Sequence, residues 1–142
     1  LVIGKNPKGN LFKMIKSIKY KYFFNIAGGT AKKSMVLADD VARIILKAAK
    51  TPGVFNLTDR HHPSFFEFSR LISYQLKRNQ PLSLSHSIAK TLAIIGDIVP
   101  IFPFNTNTLI KMTNDLTFSD HKAVKEICWK PKNVINNYII DK

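Results

Sequence analysis

The sequence predicts an α/β fold of the α+β-like kind, with short strands separated by amphipathic helices in one domain spanning 1–142. Three observations carry this. Short runs of strand character ("LVI", "FFNI", "SMVLA", "VFNLTD") recur between segments of helical period. Clusters of Gly, Pro and Asn ("GKNPKGN", "AGGT", "TPG") punctuate them. The 142 residues are 45% apolar and 11% aromatic, enough for one packed core and too apolar for a disordered chain.

The elements follow in order. "LVI" reads as a short buried strand, and the loop "GKNPKGN" ends it. Asn10 is a favourable N-cap for a helix that places Leu11, Met14, Ile15, Ile18 and Tyr22 on one face. Lys13, Lys16 and Lys19 fall largely on the opposite, solvated side. "YFFNIAGG" is a strand running into a Gly-Gly turn, and "SMVLA" is another strand. Asp39 or Asp40 opens the next helix as a cap, with Val41, Ile44, Ile45 and Ala48 at helical spacing. "VFNLTD" is a strand, and Ser64 caps a helix that turns Phe65, Phe68, Leu71, Ile72 and Leu76 inward. A short strand at "PLSLS" precedes a helix over 87–98, and the prolines of "VPIFPF" demand extended chain. Further helices are expected over 106–114, 119–128 and 133–140.

Charge and composition exclude several classes. The 22 basic against 9 acidic residues give a formal net charge of +13. The lysines are scattered rather than clustered, and no arginine-rich run, zinc spacing or aromatic RNA-binding motif accompanies them. A polyanion-binding module is the alternative reading, but a nucleic-acid partner is not expected. The apolar stretch "IAKTLAIIGDIVPIF" is interrupted by Lys90, Asp97 and Pro100, so it does not span a bilayer, and no membrane partner is expected. One cysteine, Cys128, permits no internal disulfide, which suits a reducing, cytoplasmic compartment. Because Leu1 opens directly into a strand pattern, we expect the chain to be a piece of something longer.

Candidate chemistry is sparse. His61 and His62 are adjacent, with no third ligand at metal spacing, and a turn before Pro63 accounts for them. His86 and His121 sit near helix starts as surface or capping residues. Cys128, beside Trp129, reads as packed at a helix end with no partner base. Asn56-Leu57-Thr58 is a glycosylation sequon inside the expected strand. "GKNPKGN" is not a Walker loop, and no G-x-G-x-x-G follows a strand. No metal site and no catalytic constellation is expected.

The blocks "LVIGKNPKGNLFKMIKSI", "FFNIAGGTAKKSMVLADDVARIILKAA", "GVFNLTDRHHPSFFEFSRLIS" and "LTFSDHKAVKEICWKPKNVINNYI", in that order, resemble the carboxy-terminal half of nucleotide-sugar epimerases and dehydratases. These belong to the extended short-chain dehydrogenase/reductase superfamily, and the likeness is greatest to bacterial 4-epimerases acting on UDP-sugars, including those of surface-polysaccharide pathways. "SDHKAVKEICWKP" is similar to the family ending D-x-x-K-A-x-x-x-L-G-W-x-P, with Ile127-Cys128 in place of Leu-Gly.

The resemblance implies a substrate-binding lobe plus the last strands of a Rossmann-type fold. It implies that Asn10 and the backbone N–H of Leu11 approach a diphosphate, and that Phe24 and Ile26 lie on the strand that sandwiches uracil. Lys33 stands where the family has an arginine that binds the nucleotide's phosphate or ribose, and Lys111 where the resemblance implies a second, phosphate-binding arginine. Either replacement keeps the charge and loses the planar fork. Asp39 and Asp40 fall in a structural block of the family. The cofactor implied for the intact protein is NAD(P), held on an amino-terminal Rossmann half that this chain lacks. The family's catalytic Tyr-x-x-x-Lys is absent as well, since the spacing of Tyr138 and Lys142 occurs after every other block. The expected partners are a UDP-sugar, the missing half and, for the intact protein, a second copy in a homodimer. The expected reaction of the parent is 4-epimerisation, with sugar-nucleotide dehydration or reduction, or a silent homologue, as alternatives. By itself the chain is expected to be inactive.

Overall fold

The computed structural model describes residues 1–99 and 104–140. The expected extended segment at 100–103, and Lys142 of the tyrosine-lysine spacing, lie outside the described residues.

Two short parallel ladders organise the chain. Strand β1 (Val2–Ile3) pairs with β3 (Val36–Leu37), setting Val2 opposite Val36 and Ile3 opposite Leu37. Strand β2 (Asn25–Ile26) pairs with β4 (Ser83–Leu84). Parallel neighbours require crossover connections, and helices supply them. Helix α1 (Gly9–Lys19) lies between β1 and β2, and a 3-10 turn (Ala27–Gly29) follows β2. Helix α2 (Ala38–Ala49) leaves β3 without a loop, and α3 (Phe65–Gln75) precedes β4. Then come α4 (His86–Ile98), α5 (Thr106–Thr113), α6 (His121–Ile127) and α7 (Val134–Asn137). The α/β class predicted from sequence is the class observed.

Three apolar clusters hold these elements. The largest joins β1, β3, α1, α3 and α7 through Ile3, Leu11, Met14, Ile18, Leu37, Phe68, Ile72, Val134 and Tyr138. A second gathers Ile26, Ala89, Ala93 and Leu109 at the β2–α4–α5 corner. The third packs Val36 against Ala123, Ile127 and Trp129.

Several expectations are corrected. Helix α1 begins at Gly9 with Lys8 as N-cap and no side-chain cap, so Asn10 lies inside the first turn instead of capping it. Tyr22 lies beyond the helix and is exposed, although Leu11, Met14 and Ile18 are buried as expected. Neither aspartate caps α2, whose N-cap is Leu37. Asp40 is instead buried, accepting from the Lys132 N–H at 2.6 Å and from the Arg43 guanidinium. It ties α2 to the segment before α7. "VFNLTD" forms no strand, because its groups find partners other than a ladder. The Asn56 amide donates to Ser119 O at 3.3 Å, the Thr58 hydroxyl to Asp120 at 3.1 Å and the Asp59 N–H to Met35 O at 2.7 Å. Cys128 is exposed; it takes φ 55° to end α6 and lets Trp129 turn inward. Helix α7 stops at Asn137 because Gln75 clamps the chain beyond it, donating to Tyr138 O at 2.7 Å and accepting from Ile140 N at 2.8 Å.

The capping reading succeeds at α3. The Ser64 hydroxyl accepts from Glu67 N at 3.2 Å while the Glu67 carboxylate accepts from Ser64 N at 2.9 Å. That reciprocal pair is the capping box.

Candidate functional site

The residues singled out by sequence fall in two places. Asn10 and Leu11 open α1, where the Leu11 side chain is buried in the largest cluster and Asn10 is exposed. The first amides of a helix have no acceptor within it. Here no side chain caps them and no acidic residue occupies the first turn. The start of α1 therefore presents N–H groups and a positive dipole end with no acidic residue in its own first turn.

Phe24, Ile26, Lys33 and Lys111 belong to the other place, the corner built from β2, the 3-10 turn and α5. Ile26 is 4% exposed and packs with Leu109 of α5, so its side chain is committed to the protein. Phe24, one residue before β2, is 38% exposed and free to stack. Asn25 between them is buried and exchanges hydrogen bonds with Ser69 of α3 at 3.2 and 3.3 Å. The turn then bends back sharply. A Cβ on Gly29 would come within 2.8 Å of Asn25 Oδ1, and its φ of 67° is left-handed, so glycine is required there.

Lys33 is held from both sides. Its backbone N–H donates to Pro63 O at 3.1 Å, and it bridges in parallel to Leu116. The ammonium donates to Asn114 O at 2.6 Å, just past α5, and lies 5.5 Å from the centre of the Phe65 ring. The nearby Asp115 carboxylate is engaged by the Lys32 N–H at 2.7 Å. Burial lowers the Lys33 pKa from the usual lysine value, and Asp115 offsets this in part. This is a half-buried cation on a neutral carbonyl and an aromatic face, with its carboxylate neighbour already bonded elsewhere. Lys111 is exposed on α5, the helix that packs on Ile26 and runs toward Asn114.

Sequence reasoning missed Asn114, Asp115 and Phe65 as the surroundings of Lys33. It also missed Asp59, whose carboxylate accepts from His61 N, His62 N and Val134 N at 3.1, 3.0 and 3.2 Å. The His61-His62 turn is accordingly a hydrogen-bonded one. His61 contacts Glu67 at 3.0 Å and His62 contacts the Ser34 hydroxyl at 3.1 Å. Among the described residues no group of three or more His, Cys, Asp or Glu is placed to hold a metal. A cleft of about 330 Å³ lined by Arg60, His62, Ser119, Asp120 and His121 contains none of the expected binding residues.

A dinucleotide does not fit the residues described. The one glycine after β1 that approaches another element is Gly4, and a Cβ there would come within 2.8 Å of the Ala38 Cβ. The close approach at Gly4 serves strand–helix packing and leaves no cradle for a pyrophosphate.

No protein-family profile matches the chain, and no curated protein does. Solved structures do. The crystal structure of gox2253 matches with a TM-score of 0.65 at 18% identity, over 95% of this chain and 43% of that one. The human epimerase family protein SDR39U1 (isoform 2), solved with NADPH, matches with a TM-score of 0.66 at 16% identity, over 92% of this chain and 41% of that one. The fold of the chain is thus that of part of these two structures. The chain spans less than half the length of either structure it matches.

Proposed function

We propose that this chain is the carboxy-terminal, substrate-binding portion of an NAD(P)-dependent nucleotide-sugar epimerase, and that it holds the nucleoside diphosphate of a UDP-sugar. The observation that carries the reading is Lys33, a half-buried ammonium fixed by backbone on both sides with its neighbouring carboxylate committed elsewhere. A diphosphate supplies the full counter-charge that this cation lacks. Phe24 offers a ring for the base, Lys111 a second cation, and the uncapped start of α1 at Asn10 and Leu11 a set of amide donors. Binding energy at that remote end positions the reacting sugar. The hydride chemistry belongs to the amino-terminal dinucleotide half that the resemblance implies, and no step of it is assigned to these residues.

Calorimetric titration with UDP tests the proposal. Saturable one-to-one binding is expected, with Lys33→Ala weakening it by about tenfold or more, the scale of one charged hydrogen bond. Lys33→Arg should retain most of the affinity. Because the Lys33 pKa is lowered, UDP affinity should fall at a less alkaline pH than an ordinary lysine would set. An undetectable UDP interaction, or wild-type affinity in Lys33→Ala, would sink the assignment. Affinity that instead grows with polyanion length and collapses with salt would favour a polyanion-binding module.

A further inference from the structure

We propose that the outward face of α4 lies along an anionic lipid surface. The helix is packed in reverse of the usual pattern. Its buried residues are the small ones, Ala89, Ala93 and Gly96, while Ile88, Ile94, Ile95, Ile98 and Val99 are between 44% and 76% exposed. At 100° per residue the four isoleucines cover an outward arc of about 120°, in which Ser87 and Thr91 are the polar side chains, and Val99 follows at the end of the helix. A surface helix of a soluble protein ordinarily turns its isoleucines inward.

The inversion has a local cause and an outward consequence. Ala89 and Ala93 are fully buried against Ile26 and Leu109, and their small size lets α4 approach the corner closely. The large aliphatic groups are then left facing away.

Their chemistry points to lipid. Protein interfaces concentrate binding energy in Trp, Tyr and Arg, and this arc holds isoleucine and valine. The net charge of +13 favours an anionic leaflet, and Lys90 sits on α4 itself. Asp97, the one acid of the helix, turns its carboxylate to its own chain, where it accepts from the Thr106 N–H at 3.1 Å and from the Thr106 hydroxyl. Among the described residues no helix is long and apolar enough to cross a membrane, but lying in the interface needs only one apolar face.

Sedimentation of the purified full chain with sucrose-loaded vesicles tests it, using phosphatidylcholine alone and phosphatidylcholine mixed with phosphatidylglycerol. Binding is expected to the mixed vesicles, weakening as salt rises. The triple variant Ile94→Ser, Ile95→Ser, Ile98→Ser should lower partitioning by about tenfold or more with an unchanged thermal melt, since the three side chains are exposed. No binding to the mixed vesicles, or equal binding by the variant, overturns the proposal. So does a wild-type dimer that the variant dissolves, which would assign the face to a second copy. A variant that melts several degrees lower also overturns it, because the face would then be covered by the protein itself.

Discussion

The largest cluster and the β2–α4–α5 corner are built on different principles. The first interlocks Phe68, Met35, Ile3 and Ile72, all nearly inaccessible, with ring stacking between Phe68 and Tyr138 at 6.1 Å. The buried residues of the corner are one isoleucine, two alanines and a leucine, with Leu84, Phe104 and Met112 only partly buried against them. Large side chains that interdigitate fix a unique arrangement, whereas small ones permit close approach and leave little apolar area to resist motion. Of the proposed nucleotide residues, Phe24 adjoins β2 and Lys111 lies on α5, both elements of the thinner of the two, and Lys33 is tied to Asn114 just past α5. The contrast predicts a rigid body carrying a more deformable rim, and substitution tests it directly.

Phe68→Ala should produce the largest effect, about 3–5 kcal/mol by the usual range for a buried phenylalanine, read as a lowered urea midpoint. Leu109→Ala should cost about 2 kcal/mol, the low end for leucine, because the thin corner can settle into the space. If both variants lose equal stability, the contrast between the regions is gone. Leu109→Ala should also weaken UDP disproportionately, since α5 carries Lys111 and leads to Asn114, whereas Phe68→Ala should leave affinity of the folded fraction nearly intact. Ser64→Ala, which removes half of the capping box, should cost about 1 kcal/mol in the same denaturation experiment.

The smallest effect is one of pH. The Ser64 backbone N–H, with help from the Ser64 hydroxyl and His61, holds the Glu67 carboxyl below its ordinary value against opposing desolvation. A carboxylate with a depressed folded pKa adds stability above its unfolded pKa and loses it as pH falls through the folded one. Glu67→Gln should therefore flatten the acid limb of the stability profile. An acid limb identical to that of the wild type would assign the dependence to other groups.

What could be read from the sequence was local. The Ser64 cap and the burial of Phe68 and Ile72 follow from spacing within one turn or one helix. The α/β class follows from the alternation of such segments. What could not be read depends on partners distant in the chain. "VFNLTD" has the composition of a strand, but whether a strand forms is decided by a neighbour that supplies a ladder. Asp40 has the position of a cap, but Lys132, 92 residues away, decides what its carboxylate does. Lys33 looks like any exposed lysine until Pro63, Phe65 and Asn114 are brought to it. The inverted packing of α4 is equally hidden, because the apolar period of "IAKTLAIIGDI" does not say which apolar residues face inward.

The segment from Trp129 to Ile140 is fastened to the body chiefly by polar ties of great sequence separation. Trp129 Nε1 donates to Thr58 O, Lys132 N to Asp40, Val134 N to Asp59, and Gln75 grips the backbone at 138 and 140. During synthesis none of these can close until the ribosome has made the segment and released it from the exit tunnel. Until then Asp40 lacks the Lys132 N–H and Asp59 the Val134 N–H, and the cluster around Phe68 misses Val134 and Tyr138. Docking of this segment is therefore a long-range step that closes over parts of the chain made long before it, the kind of contact that slows folding.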